Sequence, residues 1–318
     1  MTFFRPKFAA ALTVIASFFA LPAQAVLHID ITHPNVSPMP IALYDLNSDD
    51  ANSAQLGRDI TRVAAADLER SGLFRPIDSS AFIEKITSGN TIPRFADWRQ
   101  INAQALVTGT ITSDGNKVRV DFRVWDTFGE AQLTGKEFNS TESNWRRVGH
   151  LIADEIYKRI TGEDGYFDSR IVYVAESGPL KHRVKRLAIM DQDGENHKFL
   201  TDGGTLVLTP RFSPNSQEIL YLSYAGHQPR VYLRDLQSGE EESLGHFEGM
   251  SFAPRFSNDG NRVAMSIARG GSTQLYTMDL RSRVLKQITN TPGIINTSPS
   301  YSPDGSKIVF NSDRGGSQ

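Results

Sequence analysis

The sequence of 318 residues contains no cysteine, which excludes disulfides, thiolate metal sites and a cysteine nucleophile. Neither sign of charge is in excess, since 34 Lys and Arg residues stand against 36 Asp and Glu residues for a formal net charge of −2. Without a basic excess there is no reason to expect a nucleic-acid partner. Hydrophobic residues make up 39% of the chain, as in ordinary globular proteins with a sizeable core.

Long apolar runs are also missing, apart from residues 8–21 near the N-terminus. This run is shorter than the roughly 20 residues that a membrane-spanning helix needs. Arg5 and Lys7 give it a positive start, and Ala23-Gln24-Ala25 follows as a site with small residues for cleavage. The pattern predicts a secretory signal peptide over residues 1–25 that is cleaved after Ala25. We therefore expect an exported protein of the bacterial periplasm that does not insert directly into a membrane.

What the chain does contain is a repeat. Pro-Arg-Phe-Ser at residues 210–213 returns at residues 254–257, and Pro-Ser-Tyr-Ser follows at residues 299–302. A period of about 40–45 residues with several short strands in each unit is typical of β-propeller blades. The register predicts second strands through Ile171, Ile219, Val263 and Ile308, third strands that end at Asp191, Asp235 and Asp279, and fourth strands through Leu200, Leu244 and Ile288.

The two ends of the repeat are irregular. The first unit has no Pro-x-aromatic-Ser string before Ile171, so its innermost strand is expected to be missing. The last unit stops at Gln318, before a third strand. Residues 169–318 therefore predict an incomplete propeller of about three and a half blades. About two and a half further blades at this period would complete a six-bladed ring.

The mature chain begins with an alternating heptapeptide at residues 26–32, followed by a tether with three prolines at residues 33–40. The heptapeptide can form a strand that docks on its own domain or on the sheet edge of a partner. The alternative is that it is a frayed terminus. Residues 41–162 predict an α/β domain with long helices near residues 53–71 and 144–160 on one face of a small sheet. Ser143 is expected to cap the second helix and Gly162 to end it. The predicted fold class is an α+β N-terminal domain, a linker over residues 163–168, and an all-β propeller.

Enzyme signatures are absent from the sequence. It has neither a Gly-x-Ser-x-Gly elbow nor a His-Glu-x-x-His motif. The seven histidines show no metal-ligand spacing and are interpreted mostly as surface or turn residues. Asp191 and Asp193 have the spacing of a weak calcium loop, but a β-turn at the end of a strand explains them better. Asp304 is likewise interpreted as a turn residue with water as its partner. No cofactor, metal or catalytic residue is expected.

A candidate binding surface lies just before each repeated proline. The segments 206–209, 250–253 and 295–298 all approach innermost strands from the same end of the ring, so they converge on one channel mouth. Met250, Phe252, Ile294 and Ile295 are apolar in what are expected to be exposed loops. An apolar centre with a polar rim is typical of an interface. The alternative is that these residues pack on neighbouring blades.

An exported α/β domain, followed by Asp-Ser-Arg-Ile-Val-Tyr-Val at residues 168–174 and repeats of the Pro-x-Phe-Ser-Pro-Asp-Gly type, resembles the TolB family of the bacterial Tol–Pal system. The resemblance covers essentially the whole chain, but that family has six blades. It implies a non-enzymatic periplasmic adaptor that supports outer-membrane integrity and constriction at cell division, and that colicins exploit during import. It also implies that binding of one partner changes whether the N-terminus is docked or free.

The same resemblance implies two partner sites. A Pal-like outer-membrane lipoprotein would bind at the channel mouth, through Met250, Ser251, Ala253, Asn296 and Thr297. A TolA-like inner-membrane protein would bind residues 26–36, which we call the N-terminal strip, through Val26, Leu27, His28, Ile29, Asp30 and Ile31. Other outer-membrane or division proteins are further possible partners.

Two alternative functions remain open from the sequence. The repeats also occur in the propellers of prolyl-oligopeptidase-type peptidases, where a hydrolase domain with a Gly-x-Ser-x-Gly elbow would follow the propeller. The N-terminal α/β domain fits that alternative badly. A propeller that binds sugar or peptidoglycan is a third interpretation.

Overall fold

The computed structural model describes residues 27–29, 37–89, 91–226, 228–245 and 247–316. The predicted signal peptide lies outside these residues. The chain divides into two compact units, Met1–Gly165 and Tyr166–Gln318, and the division falls inside the predicted linker.

The N-terminal unit is built on a five-stranded sheet in the order β2-β1-β3-β4-β5. Strand β1 pairs in parallel with both β2 and β3, whereas β3, β4 and β5 pair antiparallel. A central parallel strand requires crossover connections on both of its sides, and helices supply them. The strands are β1 (Met39–Leu43), β2 (Phe74–Pro76), β3 (Ala105–Ser113), β4 (Lys117–Asp126) and β5 (Ala131–Thr141).

Helices α1 (Ala51–Arg70) and α3 (Trp145–Thr161) pack against each other over this sheet. The Asp50 carboxylate accepts a hydrogen bond from Ser53 N at 2.8 Å and so caps α1. Gly162, at φ 81°, ends α3 as predicted. The predicted cap at Ser143 is wrong: Asn144 precedes α3 without a side-chain cap, and the Ser143 hydroxyl lies 3.0 Å from the Thr141 hydroxyl.

The second face of the sheet is also covered, which corrects the expectation of helices on one face only. The short helix α2 (Phe95–Gln100) contributes Trp98, which is fully buried and donates from Nε1 to Glu84 Oε2 at 2.7 Å. Successive strand residues point to opposite faces, so Ala42 and Leu106 can face α2 while their neighbours face α1. This second core consists of Ala42, Ile86, Phe95, Trp98, Ala103, Leu106 and Trp125.

In the described part of the second unit there are four successive antiparallel sheets, which confirms the propeller prediction. Among these residues the first sheet has three strands and lacks an innermost strand, as predicted: β6 (Arg170–Ser177), β7 (Val184–Asp191) and β8 (Lys198–Phe199). Two four-stranded sheets follow: β9 (Val207–Phe212), β10 (Glu218–Ser223), β11 (Arg230–Asp235) and β12 (Glu241–Ser243), then β13 (Met250–Phe256), β14 (Arg262–Arg269), β15 (Ser272–Asp279) and β16 (Leu285–Gln287). The last sheet pairs β17 (Asn296–Tyr301) with β18 (Ile308–Ser312).

The repeated aromatic residues occupy one structural position. Phe212, Phe256 and Tyr301 each end an innermost strand and pair with the second-strand residues Ile219, Val263 and Ile308. Phe212 packs on a cluster that joins the first two sheets, and Phe256 on one that joins the second and third. The predicted fourth-strand residues Leu200, Leu244 and Ile288 lie one position beyond their strands, but each backbone N–H still donates to the third strand.

Candidate functional site

The segments before the repeated prolines share one backbone irregularity. Thr209, Ala253 and Ser298 all have left-handed backbones, with φ of 49°, 50° and 54°. Each lies where the pairing of the innermost and second strands shifts by a bulge. A bulge inserts one extra residue and re-aims the neighbouring side chains. The prediction of loops here is therefore wrong: the segments are largely the bulged first halves of β9, β13 and β17.

The bulged ends present a small number of apolar side chains to solvent. Met250 and Ile295 each expose 42% of their surface, as does Leu206 beside the first bulge. Ala253 and Thr297 are half-buried. The backbone of Ile295 is held by a side chain of the same sheet, since Asp313 Oδ1 accepts a hydrogen bond from Ile295 N at 2.8 Å. Met250 is held by the strand ladder, since it pairs with Ala268 of β14. The exposed residues of this end thus stand on a firmly hydrogen-bonded frame.

Ser251 is one of the five predicted mouth residues, but only 2% of it is exposed. Its hydroxyl accepts a hydrogen bond from the backbone N–H of Val231 at 3.1 Å. In the first and third sheets the equivalent N–H groups, on Leu187 and Leu275, donate to threonine hydroxyls at 3.0 and 2.9 Å. In the second sheet Gly245 stands at the position of those threonines, so Ser251 from the next sheet satisfies the N–H instead.

Asn296, also predicted at the mouth, is fully buried. Its Nδ2 donates to Gln274 Oε1 at 3.1 Å, and the same oxygen accepts from the Thr289 hydroxyl at 2.7 Å. Sequence reasoning missed both partners. Thr289 could have been found, because Thr201 stands two repeats earlier and has the same hydrogen-bonding role. Gln274 has no counterpart in the repeat and carries no such signal.

Three residues of the N-terminal strip are described, Leu27, His28 and Ile29. The backbone N–H of Ile29 donates to Ile160 O at 2.9 Å, and the Ile29 side chain is 6% exposed. The last carbonyls of a helix have no partner within the helix, so the end of α3 offers this acceptor. These three residues form no regular strand. Unlike Ile29, His28 is exposed and Leu27 is half-buried. The predicted contact residues Val26, Asp30 and Ile31 lie outside the described residues.

The turn aspartates have their partners within their own turns. Asp235 Oδ1 accepts from the N–H groups of Gln237 and Ser238, both at 2.7 Å, and Asp279 repeats this with Arg281 and Ser282. These hydrogen bonds stabilise the charged form and lower the pKa of both carboxyls. Asp235 and Asp279 thus act as turn residues at the ends of their strands.

Asp304 lies in a turn, but its expected partner differs, because protein groups of the same turn bond its carboxylate. Oδ1 accepts from the Ser302 hydroxyl at 2.5 Å and from Ser306 N at 3.1 Å, and Oδ2 accepts from the Ser306 hydroxyl. Hydrogen bonds from these two serine side chains lower the pKa of Asp304 to about 2. The Pro-Asp-Gly turn is thus held by its own side chains.

His150 departs from the interpretation of the histidines as surface or turn residues. It is 2% exposed, and its Nδ1 lies 2.6 Å from Asp67 Oδ2, which joins α3 to α1. Arg70 also donates to the Asp67 carboxylate. Buried polar groups between packed helices are usually hydrogen-bonded to each other, so this pair is structural.

Across the described ranges, no helix combines the length and apolar character needed to cross a bilayer.

Comparison with known proteins identifies relatives for both units. The TolB amino-terminal domain family matches residues 27–133, and the TolB beta propeller domain family matches residues 157–318. The Tol-Pal system protein TolB of Paramagnetospirillum magneticum is 56% identical over 244 residues, which are 76% of this chain. The match spans 55% of the length of that relative. The crystal structure of TolB from Acinetobacter baumannii superposes with a TM-score of 0.74 at 31% identity, over 91% of this chain and 70% of the other.

Proposed function

Since this chain belongs to the TolB family, we propose that it is a non-enzymatic periplasmic adaptor of the Tol–Pal system. Because the chain spans 55% of the length of its curated relative, the activity of the whole protein is part of this proposal. The adaptor would help to maintain the outer membrane and its constriction at division, and colicins would exploit it during import. Family membership leaves the peptidase and sugar-binding alternatives without a supporting observation.

The first proposed contact is a Pal-like lipoprotein on the bulged ends of the innermost strands. The observation that carries it is the exposed apolar surface of Met250 and Ile295 on a hydrogen-bonded frame. Aromatic and apolar anchors with polar surroundings are what interface centres contain. Within the predicted set, Met250, Ala253 and Thr297 would touch the partner, because they are exposed or half-buried. Ser251 and Asn296 would instead position the strands, because both are buried and hydrogen-bonded.

The second proposed contact is a TolA-like protein on the N-terminal strip. The described part of the strip is attached to its own domain by the Ile29–Ile160 hydrogen bond and by burial of the Ile29 side chain. Exposing one such side chain to water costs about 1.5–3 kcal/mol of hydrophobic free energy. A partner that captures the strip must exceed this cost, and a first partner that favours the free strip would couple the two sites.

Titration calorimetry of the full-length protein with Pal and with TolA tests both contacts. Met250→Asp places a charge in the apolar centre and should weaken Pal binding at least about tenfold. Val284→Asp is the matched control, since Val284 is 63% exposed in the turn between β15 and β16. Unchanged Pal affinity of Met250→Asp would refute the proposed surface.

Deletion of residues 26–36 should abolish TolA binding and leave Pal binding in place. TolA binding that survives the deletion would contradict the role of the strip.

A further inference from the structure

A cleft in the N-terminal unit has no place in the adaptor function. It lies where the parallel strands β1 and β2 end, beside α1. In open α/β sheets the crevice beyond the carboxyl ends of parallel strands is the usual place for a small ligand. The cleft has two lobes of about 250 and 400 Å³, and Asp45, Arg58 and Ser79 line both of them.

Asp45 lies two residues after the end of β1 and supplies a carboxylate to the cleft. Within the described ranges, no hydrogen bond or ion pair within 4 Å reaches this carboxylate, and the pKa of Asp45 is raised by partial burial. The positive charges of Arg58 and Arg62 lower the pKa of Asp45, but neither side chain contacts the carboxylate. A carboxylate partly withdrawn from water gains from a cation that binds to it.

Two cations that line the cleft, Arg58 and Lys85, are likewise available, whereas Arg62 is paired with Asp59 at 2.9 Å. Arg58 donates two hydrogen bonds to Gln55 Oε1, from Nε at 3.2 Å and from Nη2 at 2.5 Å. Because this acceptor is neutral, the charge of Arg58 is not compensated by it. Lys85 makes no ion pair within the described part of the chain. The neighbouring Glu84 does not offset them, because it accepts from Arg94 N and Trp98 Nε1 and lies 3.6 Å from the Arg94 guanidinium.

The larger lobe adds a polar donor and an apolar wall. Asn47 Nδ2 is buried there without a hydrogen-bond partner, which is costly unless something accepts from it. Tyr44 and Phe82 stack nearby with ring centroids 6.0 Å apart. The lobe therefore combines opposite charges, an unused amide donor and an aromatic surface within one volume.

We propose that this cleft binds a small zwitterion, namely a free amino acid or a dipeptide. The ligand carboxylate would lie between Arg58 and Lys85, its ammonium group on Asp45, and its side chain against Tyr44 and Phe82. A simple anion such as phosphate would meet repulsion from Asp45, and a simple cation would meet Arg58 and Lys85. Only a ligand with both charges satisfies all three groups. This site is independent of the proposed partner surfaces.

Titration of the full chain with alanyl-alanine, followed by amide chemical shifts, tests the proposal. For a ligand of this size we expect saturation with a dissociation constant of about 1 mM or tighter. N-acetyl-alanyl-alanine and alanyl-alanine amide each lack one charge and should bind at least about tenfold more weakly. Inorganic phosphate should not compete.

Asp45→Asn and Arg58→Gln should each lower affinity for alanyl-alanine at least about tenfold. Both side chains are exposed, so the variants should fold, and an unchanged far-UV spectrum checks this. Glu69→Gln is the matched control, because Glu69 is exposed on the same helix but does not line the cleft. Equal binding of the blocked dipeptides, displacement by phosphate, or no saturation by alanine or alanyl-alanine would each overturn the proposal.

Discussion

In the N-terminal unit the central strand takes its neighbours from distant parts of the chain, whereas in the propeller each strand pairs with the next one along. Strand β1 pairs with β2 from Met39 to Phe74 and with β3 from Ile41 to Ala105. In the second and third propeller sheets every pairing joins consecutive strands. Non-local pairing carries a larger entropy of loop closure. The N-terminal unit therefore depends on cores that join distant parts of the chain, whereas the propeller is built from similar local repeats.

The largest effect should come from the core between the sheet and α2 in the N-terminal unit. Trp98→Ala removes a fully buried side chain and leaves Glu84 without the indole donor. We expect a loss of about 3–5 kcal/mol in the free energy of unfolding. The remaining tryptophans, Trp125 and Trp145, both lie in this unit, so their fluorescence during urea unfolding reports it.

Val309→Ala provides the control in the propeller, where Val309 is 70% exposed, and it should change stability by less than about 0.5 kcal/mol. A loss below about 1 kcal/mol for Trp98→Ala would mean that the second face of the sheet is not part of a cooperative core.

A smaller effect, of opposite sign, is expected at the bulges. Thr209 is exposed, and its φ of 49° is unfavourable for a β-branched residue but costs glycine little. Thr209→Gly should raise the free energy of unfolding by about 1 kcal/mol. Urea unfolding followed by far-UV circular dichroism measures it.

Thr277→Gly is the matched control, because Thr277 lies inside β15 and has no positive φ. It should lower stability by about 0.5–1 kcal/mol. If both glycines lower stability equally, the bulges carry no strain.

Removing an asparagine that bonds one propeller sheet to the next should change the free energy of unfolding less than Trp98→Ala does. Asn215 Nδ2 donates to Asp259 O at 2.7 Å, and Asn258 Nδ2 donates to Ser302 O at 2.8 Å. Asn258→Ala should cost about 0.5–1.5 kcal/mol, read from urea midpoints. Asn116→Ala, in the hairpin turn between β3 and β4, should stay within about 0.5 kcal/mol. An equal loss for both would show that these bonds do not help to hold the sheets together.

The pH dependence of the turn at Asp304 should be the smallest effect. The folded pKa of about 2 lies below the unfolded value of about 3.9. The stabilisation is therefore fully present above about pH 4 and is lost as pH falls through about 2. The side chain of Asp304→Asn cannot titrate. The difference in urea midpoint between the natural protein and this variant should therefore shrink as the pH falls from about 4 to about 2. A difference independent of pH would contradict the role of the carboxylate.

Several features were predictable because they depend on neighbours in the sequence. The repeated aromatic residues identified the blades, and Gly162 correctly marked the end of α3. The buried position of His150 could not be predicted, because its partner Asp67 lies 83 residues away. Ser251 was assigned to the mouth from the family pattern, yet its hydroxyl satisfies a backbone N–H in another sheet. Whether Met250, Ala253 and Thr297 bind a partner stays a prediction.

The amino-acid sequence by itself determined the repeat, its period and the turns, because these follow from local propensities and from side-chain hydrogen bonds over a few residues. Only the tertiary structure decided which polar groups are used internally and which remain available. Asn296 is enclosed by Gln274 and Thr289, whereas Asp45 and Arg58 meet in a cleft without contacting each other. The physical reason is that burial and pairing depend on all the elements packed around a side chain, and that set is not visible in a local stretch of sequence.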